Sequence, residues 1–149
     1  MTGHSLLAVF AHPDDESIAC GGLLARCSDM GVRVSLICVT RGEGASQQQT
    51  LGVERLKAER TRELEEASRV LGISELVFLD YEDGCLPWVN AEAFVARLRE
   101  EMRRIRPEIV VTFGDDGLYW HPDHIAVYER TTAAVVSLGG EAPALYHVT

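Results

Sequence analysis

The chain has 149 residues, of which 46% are apolar and 25% charged, a composition typical of a single globular domain with a genuine core. Fourteen basic against twenty-three acidic residues give a formal net charge of -9, so we do not expect nucleic acid as a partner. No stretch approaches the ~20 apolar residues of a membrane span. The four cysteines form no C-x-x-C pair and no signal peptide is recognisable, so the sequence predicts a cytoplasmic protein.

Apolar runs alternate with helical patterns along the chain. Residues 5–10 form a short apolar run that ends at a His-Pro step, because proline disfavours helical geometry in the residue before it. A helical pattern covers 16–30 and ends at a glycine. Residues 32–40 form the β-branched, nearly continuous apolar run of a strand that is buried on both faces. Residues 41–50, with two glycines and three consecutive glutamines, are predicted to be a loop.

The same alternation continues to the end of the chain and defines the fold class. The remaining predicted elements are a helix over 51–71, a strand over 76–79, a helix over 91–105, a strand over 108–113, a helix over 121–138 and a strand over 144–148. We therefore predict an α/β fold: a Rossmann-like three-layer sandwich whose mainly parallel sheet has the order 3-2-1-4-5. In this order strands one and four are neighbours where the winding direction reverses, and ligands bind there, outside the carboxyl ends of the strands.

Two copies of the tripeptide His-Pro-Asp follow these two strands. Residues 11–16 have the sequence AHPDDE and residues 121–124 have the sequence HPDH. Because the two strands are predicted neighbours, His12, Asp15 and His124 are expected to converge as three nitrogen and oxygen ligands. Three protein ligands with a fourth position open for water define a catalytic zinc site, in which the bound water reaches a pKa of about 7.

The other polar residues of the two motifs are predicted to do the proton transfer. Asp14 lies beside the metal ligands and is free to act as the general base on the metal-bound water. His121, paired with Asp123, is predicted to be the acid or cation that faces the developing oxyanion. Helix capping is the alternative interpretation, because Asp and Pro both favour helix starts. Capping explains an aspartate in each motif but leaves the histidines without a role.

These motifs resemble the hallmarks of the de-N-acetylase family of LmbE-like and GlcNAc-phosphatidylinositol deacetylases. Further stretches that look similar are TRGE at 40–43, RTREL at 60–64 and G-L-Y at 117–119. The resemblance covers nearly the whole chain. It implies a zinc hydrolase that removes an acetyl or other acyl group from a small-molecule N-acyl amino sugar or a related glycoconjugate.

Site residues are carried over from the resemblance by position. It implies that His12, Asp15 and His124 hold one Zn²⁺ per chain, although other divalent transition metals are compatible with the same ligands. It also implies that Asp14 is the general base. The substrate carbonyl is then attacked by a metal-bound water.

The resemblance assigns the remaining polar residues to the oxyanion and to the sugar. It implies that His121 stabilises the oxyanion and is oriented by Asp123. Tyr119 matches a tyrosine that helps to polarise the substrate carbonyl. Arg60 and Asp83 fall near positions that hold sugar hydroxyls in relatives.

Several of the predicted substrate-binding residues have a second interpretation. Arg60 falls on the apolar stripe of its helix, where its charge needs either a structural ion pair or a cavity. Arg41 and Glu43 lie in a loop after a strand, either at the pocket or in a solvated turn. Asp83 belongs to an Asp-Gly turn, which is the simpler explanation for it. Trp120 stands where relatives often carry glycine, and we predict a bulkier pocket rim or a stacking platform.

The chain also departs from the family in length. It ends soon after His124, whereas relatives usually continue with more strands and a C-terminal region that shapes the pocket. We therefore describe residues 1–149 as a single LmbE-like deacetylase domain without the usual C-terminal portion. The sequence leaves open whether it is a monomer or a homo-oligomer.

Two other functions compete with a deacetylase. A phospho-acceptor signalling domain also has an acidic pair after its first strand, but it needs a lysine late in the chain. The only lysine here is Lys57, in a predicted helix, so this function is rejected. A catalytically impaired sugar- or nucleotide-binding module on the same fold is the retained alternative. No G-x-G-x-x-G follows the first strand, which disfavours a dinucleotide.

Overall fold

The computed structural model describes residues 3–44 and 52–149. Its strands are β1 (Ser5–Phe10), β2 (Arg33–Thr40), β3 (Glu75–Tyr81), β4 (Ile109–Phe113) and β5 (Ala144–Val148). They form one five-stranded sheet in the order β3-β2-β1-β4-β5, with every pair of neighbours parallel. The predicted strand order is therefore confirmed.

Within the described residues, four long helices connect these strands, and a one-turn helix, Gly117–Trp120, precedes the last of them. The long helices are α1 (Asp15–Asp29), α2 (Val53–Leu71), α3 (Ala91–Ile105) and α4 (Pro122–Ser137). Their bounds agree with the predicted ones to within two residues, while residues 45–51 of the predicted loop and helix start lie outside the described residues. Right-handed crossovers place α1 and α2 on one face of the sheet and α3 and α4 on the other, which gives three layers. Within the described ranges, no helix is long and apolar enough to cross a bilayer.

The centre of the sheet is the core of the molecule. All of β1 is buried, as is β2 after its first residue, which explains why both read as almost unbroken apolar runs. The last residues of β1 and β4 are Phe10 and Phe113, whose rings pack edge to face at 4.9 Å. Phe113 also stacks on the imidazole of His124 with ring centroids 4.0 Å apart. The apolar core therefore extends up to the second motif, where it packs against the ring of His124.

Candidate metal centre

The residues of both motifs lie between a strand and the helix that follows it. The connection between β1 and α1 contains His12 and Asp14, and Asp15 is the first residue of the helix. His121 is the N-cap of α4, where its Nδ1 accepts the backbone N–H of Asp123 at 3.1 Å. Because β1 and β4 are parallel neighbours, the two connections meet at the same edge of the sheet.

His12, Asp15 and His124 present three ligand atoms to one point. The Nδ1 atom of His12 lies 3.3 Å from Oδ2 of Asp15, and Nε2 of His124 lies 3.2 Å from that same oxygen. The two imidazole nitrogens are 3.2 Å apart. Ligand atoms held about 2.0–2.1 Å from a tetrahedral zinc ion are themselves separated by about 3.3 Å. The expected convergence is therefore present, and the triangle of donors has the size that zinc requires.

The two imidazoles are oriented by their other nitrogen atoms. Nε2 of His12 is 2.9 Å from Oδ2 of Asp123, and Nδ1 of His124 is 3.0 Å from the carbonyl oxygen of Gly117. A metal-binding histidine usually donates its second N–H to a carboxylate or carbonyl, which fixes the tautomer and the ring orientation. Gly117 has φ +58°, and a Cβ there would lie 2.8 Å from Cβ of His124. Only glycine permits this close approach of the carbonyl to the ring.

Carboxylates surround the histidines and stabilise positive charge between them. Burial disfavours the imidazolium form of His12, but hydrogen bonds to carboxylates, first of all that of Asp123, raise its pKa to about 12. Burial also opposes ionisation of Asp15, yet hydrogen bonds from His12 and His124 hold the pKa of Asp15 well below its usual range. The site thus combines ionised oxygen donors with imidazoles, the chemistry that suits zinc and other divalent transition metals.

The carboxylate of Asp123 contacts His12, whereas the sequence analysis expected it to orient His121. Its two oxygens also accept backbone N–H groups from the loop after β3, those of Gly84 at 2.8 Å and Leu86 at 3.1 Å. Asp123 is fully buried, so its negative charge is compensated by these three donors. Its backbone N–H donates to Nδ1 of His121. The amides of Gly84 and Leu86 hold the carboxylate against His12.

A cavity of about 230 Å³ opens in front of the donor triangle. Its lining contains most of the predicted site: His12, Asp14, Asp15, Gly44, Arg60, Asp83, Tyr119 and His121. Burial, together with the neighbouring charge of Asp15, raises the pKa of Asp14. Burial and the positive charge of the neighbouring histidines lower the pKa of His121, which favours its neutral form.

Arg60 and Asp83 both reach this cavity. Nη2 of Arg60 lies 3.3 Å from Oδ2 of Asp14 and also donates to the carbonyl oxygen of Pro13, so the arginine has both an ion pair and a place at the cavity. Oδ1 of Asp83 lies 2.9 Å from Nε2 of His12, and its Oδ2 accepts the N–H of Gly44 at 2.8 Å. Asp83 therefore contributes more than turn geometry.

Arg41 lies outside the cavity lining. Its guanidinium pairs with Asp80, donates to Oγ1 of Thr61 at 3.0 Å and lies 3.9 Å from the ring centre of Phe78. These contacts tie the end of β2 to β3 and α2. The side chain is thus used within the fold.

Glu43 and Trp120 also lie outside the lining. Oε1 of Glu43 accepts the N–H of Asp83 at 3.2 Å, so it supports the loop that carries Asp83. Trp120 is 74% exposed and has φ +65°, a conformation that favours glycine. It follows Tyr119, whose ring is 5.1 Å from that of His124. The tryptophan therefore stands at the outer rim, beside the mouth of the cavity.

Three contributors to the site were not predicted to have a role. Glu16 belongs to the first motif and its side chain is buried. An acidic residue at a buried helix position is the sequence feature that could have identified it. The amides of Gly84 and Leu86 hold Asp123, and backbone donors leave no mark in a sequence pattern. The Gly117 carbonyl orients His124, and a glycine ahead of the second motif was its only signal.

The fold and the donor triangle define a parallel α/β protein with a candidate mononuclear metal centre at its topological switch point. A family model described as PIG-L, GlcNAc-PI de-N-acetylase, matches residues 7–135. The chain belongs to this family. The predicted resemblance is therefore confirmed over most of the sequence.

Individual relatives agree with this assignment. The chain is 34% identical to a 1D-myo-inositol 2-acetamido-2-deoxy-alpha-D-glucopyranoside deacetylase from Kineococcus radiotolerans, in an alignment of 91% of this chain and 46% of that protein. A second deacetylase of the same name, from Saccharomonospora viridis, is 36% identical over 97% of this chain and 62% of its own length. The chain spans about half the length of the curated relatives that it matches.

Solved structures share the fold and include two kinds of enzyme. The N,N'-diacetylchitobiose deacetylase from Pyrococcus horikoshii superposes with a TM-score of 0.79 at 31% identity, covering 92% of this chain and 50% of that one. The 4-carboxy-2-hydroxymuconate hydratase from Pseudomonas putida also reaches 0.79, at 25% identity over 98% of this chain and 62% of its own. The fold alone therefore does not separate deacetylation from hydration.

Proposed function

We propose that this protein is a zinc-dependent N-deacetylase that acts on an N-acetylated amino sugar or a related small N-acyl substrate. One zinc ion would be held by His12, Asp15 and His124. The observation that carries the proposal is the triangle of donor atoms, 3.2–3.3 Å on each side, at the floor of a cavity that also contains Asp14 and His121. When bound, zinc would supply Lewis acidity and lower the pKa of a coordinated water.

Asp14 is suited to accept a proton from the attacking water. Its carboxylate borders the cavity and is paired with Arg60, which favours the ionised form and restricts its orientation. As the water oxygen bonds to the acyl carbon, its proton passes to Asp14. The same proton then passes to the amide nitrogen while the C–N bond breaks, which yields acetate and a free amine.

His121 is suited to donate a hydrogen bond to the oxyanion that develops on the acyl oxygen. Its Nδ1 already accepts the N–H of Asp123, so a neutral ring must carry its proton on Nε2. That N–H is then available at the cavity, where His121 is one of the lining residues. A preformed donor directed at developing charge stabilises the transition state more than the ground state. Tyr119, at the cavity mouth, can add its hydroxyl as a second donor.

The sugar part of the substrate would meet a charged pair and an aromatic rim. Arg60 supplies donors and Asp83 supplies acceptors for hydroxyl groups at the cavity wall. The exposed ring of Trp120 would cover the apolar face of a sugar that extends past the mouth. Arg41 and Glu43 are left out of the proposed substrate contacts, since their side chains support the loop and the sheet instead.

A hydratase and a catalytically impaired binding module are the alternatives. Both would keep the fold, so the discriminating measurement is the product. We expect zinc-loaded protein to release amine and acetate from at least one member of a panel of N-acetylated sugars, such as free GlcNAc, diacetylchitobiose and GlcNAc-inositol. Absence of amine release across this panel, with zinc bound, would contradict the proposed deacetylase. A matched preparation of His124→Ala protein controls for contaminating activity.

A further inference from the structure

The peptide unit between Pro13 and Asp14 is held from both sides. Its N–H, from Asp14, donates to Oε2 of Glu16 at 3.0 Å, and its carbonyl oxygen, from Pro13, accepts a hydrogen bond from Nη2 of Arg60. Glu16 is only 1% exposed, so its carboxylate is a buried and fixed acceptor. The orientation of this one peptide plane is therefore set by two side chains from different helices.

The clamped peptide gives Asp14 an unfavourable backbone conformation. Asp14 has φ 106° and ψ -26°, in the region that favours glycine. Rotation of a peptide plane changes ψ of the residue before it and φ of the residue after it in opposite directions. A half-turn would bring φ of Asp14 to roughly -74°, which is common for any residue. The same rotation would turn the N–H away from Glu16 and the carbonyl away from Arg60.

The strained conformation decides where the Asp14 side chain points, because φ sets the direction of Cβ relative to the preceding peptide. With the peptide clamped, the Asp14 carboxylate borders the cavity next to Asp15 and within 3.3 Å of Arg60. Backbone strain of this kind is retained when the surrounding structure over-determines it, and it is concentrated at functional sites.

We propose that Glu16 is a positioning residue: it accepts the Asp14 N–H, prevents the peptide from flipping and so keeps the Asp14 carboxylate in the cavity. The assignment rests on the proposed function for its catalytic consequence, while the backbone consequence stands apart from it. Both oxygens of Glu16 are engaged, since Oε1 accepts from Oγ of Ser17, the residue after the motif, at 2.8 Å. Burial of a carboxylate costs free energy unless the carboxylate is hydrogen-bonded, and an apolar residue of equal size would fill the same space at a lower cost in free energy.

The test compares two substitutions of equal size. Glu16→Gln keeps a carbonyl acceptor for the Asp14 N–H and can donate to Ser17, whereas Glu16→Met removes the acceptor. We expect Glu16→Met to bind zinc like the unsubstituted protein, with KM unchanged and kcat lower by about 10²-fold, the cost of misplacing a reacting group. We expect Glu16→Gln to stay within about threefold of the unsubstituted kcat. Ser17→Ala, which leaves the Asp14 bond intact, is the matched control.

Crystal structures of the two variants provide a readout that does not depend on activity. In Glu16→Met, φ of Asp14 should be negative, and in Glu16→Gln it should stay positive. A positive φ in Glu16→Met, a kcat for that variant within threefold of the unsubstituted value, or an equal loss in Glu16→Gln would each overturn the proposal. If the unsubstituted protein releases no amine, the proposed function fails, and the backbone comparison still decides the role of Glu16.

Hydrogen exchange on the unsubstituted protein covers the case in which Glu16→Met does not fold. An Asp14 amide that donates to a buried carboxylate should exchange at least about 10²-fold more slowly than a free amide. Exchange of this amide at the rate of an unstructured peptide would overturn the assignment.

Discussion

The carboxyl ends of β1 and β4 differ sharply from the carboxyl end of β2. At the first two, His12 and His124 bring their ring nitrogens to within 3.2 Å of each other. At the end of β2, Arg41 turns away from the cavity and packs over Phe78. All three residues follow buried strands and were predicted to lie at the site. The difference is topological: β1 and β4 flank the switch point, where the crossover helices diverge and leave a crevice, whereas β2 lies between β1 and β3.

The two regions also use charge differently. Around His12 the buried carboxylates of Asp15 and Asp123 face the imidazoles, and this concentration of negative charge favours a bound cation. The pair between Arg41 and Asp80 is closed within the protein, and hydrogen bonding to Arg41 is the main cause of the lowered pKa of Asp80. Because the charges of Arg41 and Asp80 neutralise each other, this pair offers no net charge to a ligand. The following substitutions test this contrast.

Loss of a metal ligand should have the largest effect. His124→Ala removes one of three donors and is expected to abolish zinc binding, whereas the unsubstituted protein should hold about one zinc per chain. Metal analysis of purified protein by mass spectrometry measures both. His4→Ala, at an exposed histidine paired with Glu108, is the control and should keep its zinc. Stoichiometric zinc in His124→Ala would refute the assigned ligand set.

Loss of the proposed general base should leave the metal in place. Asp14→Asn keeps the side-chain shape, and asparagine tolerates positive φ as aspartate does. We expect zinc content to be unchanged and kcat for amine release to fall by roughly 10²–10⁴-fold. Full activity in this variant would remove Asp14 from the proposed mechanism.

Weakening the support beneath His12 should have an intermediate effect. Asp123→Asn keeps an acceptor for one of the two backbone amides but replaces the other carboxylate oxygen with an NH2 group and removes the negative charge facing Nε2 of His12. Zinc affinity, measured by competition with a chelator, is expected to fall by about 10–100-fold. Asp115→Asn, at an exposed residue after β4, should not change it. An unchanged affinity in Asp123→Asn would show that His12 is oriented without this charge.

Removal of Arg41 should lower the stability of the fold and leave the catalytic constants nearly unchanged. Arg41→Ala deletes the stacking on Phe78 and a half-exposed ion pair, and each of these contributes at most about 1 kcal/mol. We expect a loss of about 1 kcal/mol in the free energy of unfolding, measured in urea, with kcat and KM within about twofold of the unsubstituted values. Arg41→Lys should recover part of the stability. A large rise in KM for Arg41→Ala would instead show that Arg41 contacts the substrate.

The order of the strands and the convergence of the two motifs could be predicted from the sequence. Both depend on where strands and helices lie along the chain, which sequence patterns show, and on general rules of α/β topology. Apolar periodicity located the elements, right-handed crossovers in the Rossmann order placed strands one and four side by side, and parallel neighbours bring their carboxyl ends together. The convergence of His12, Asp15 and His124 followed from these rules with no knowledge of any side-chain rotamer. The place of Asp14 and His121 at the cavity followed in the same way, whereas that of Tyr119 was implied by the family resemblance.

Side-chain direction could not be predicted, because it is decided by neighbours that are remote in sequence. The carboxylate of Asp123 points to His12 because the amides of Gly84 and Leu86 approach from the loop after β3. Arg41 points outward because Phe78 and Asp80 offer it a closer partner than the cavity does.

The sequence by itself determined the fold class and which residues could reach the metal centre, because local patterns locate the elements. The strand order followed from that class once the Rossmann arrangement was adopted. Only the tertiary structure decided which carboxylate faces which histidine, and that Glu16 holds the Asp14 peptide. These choices depend on hydrogen-bond geometry at the scale of single ångströms, between groups that the fold alone brings together.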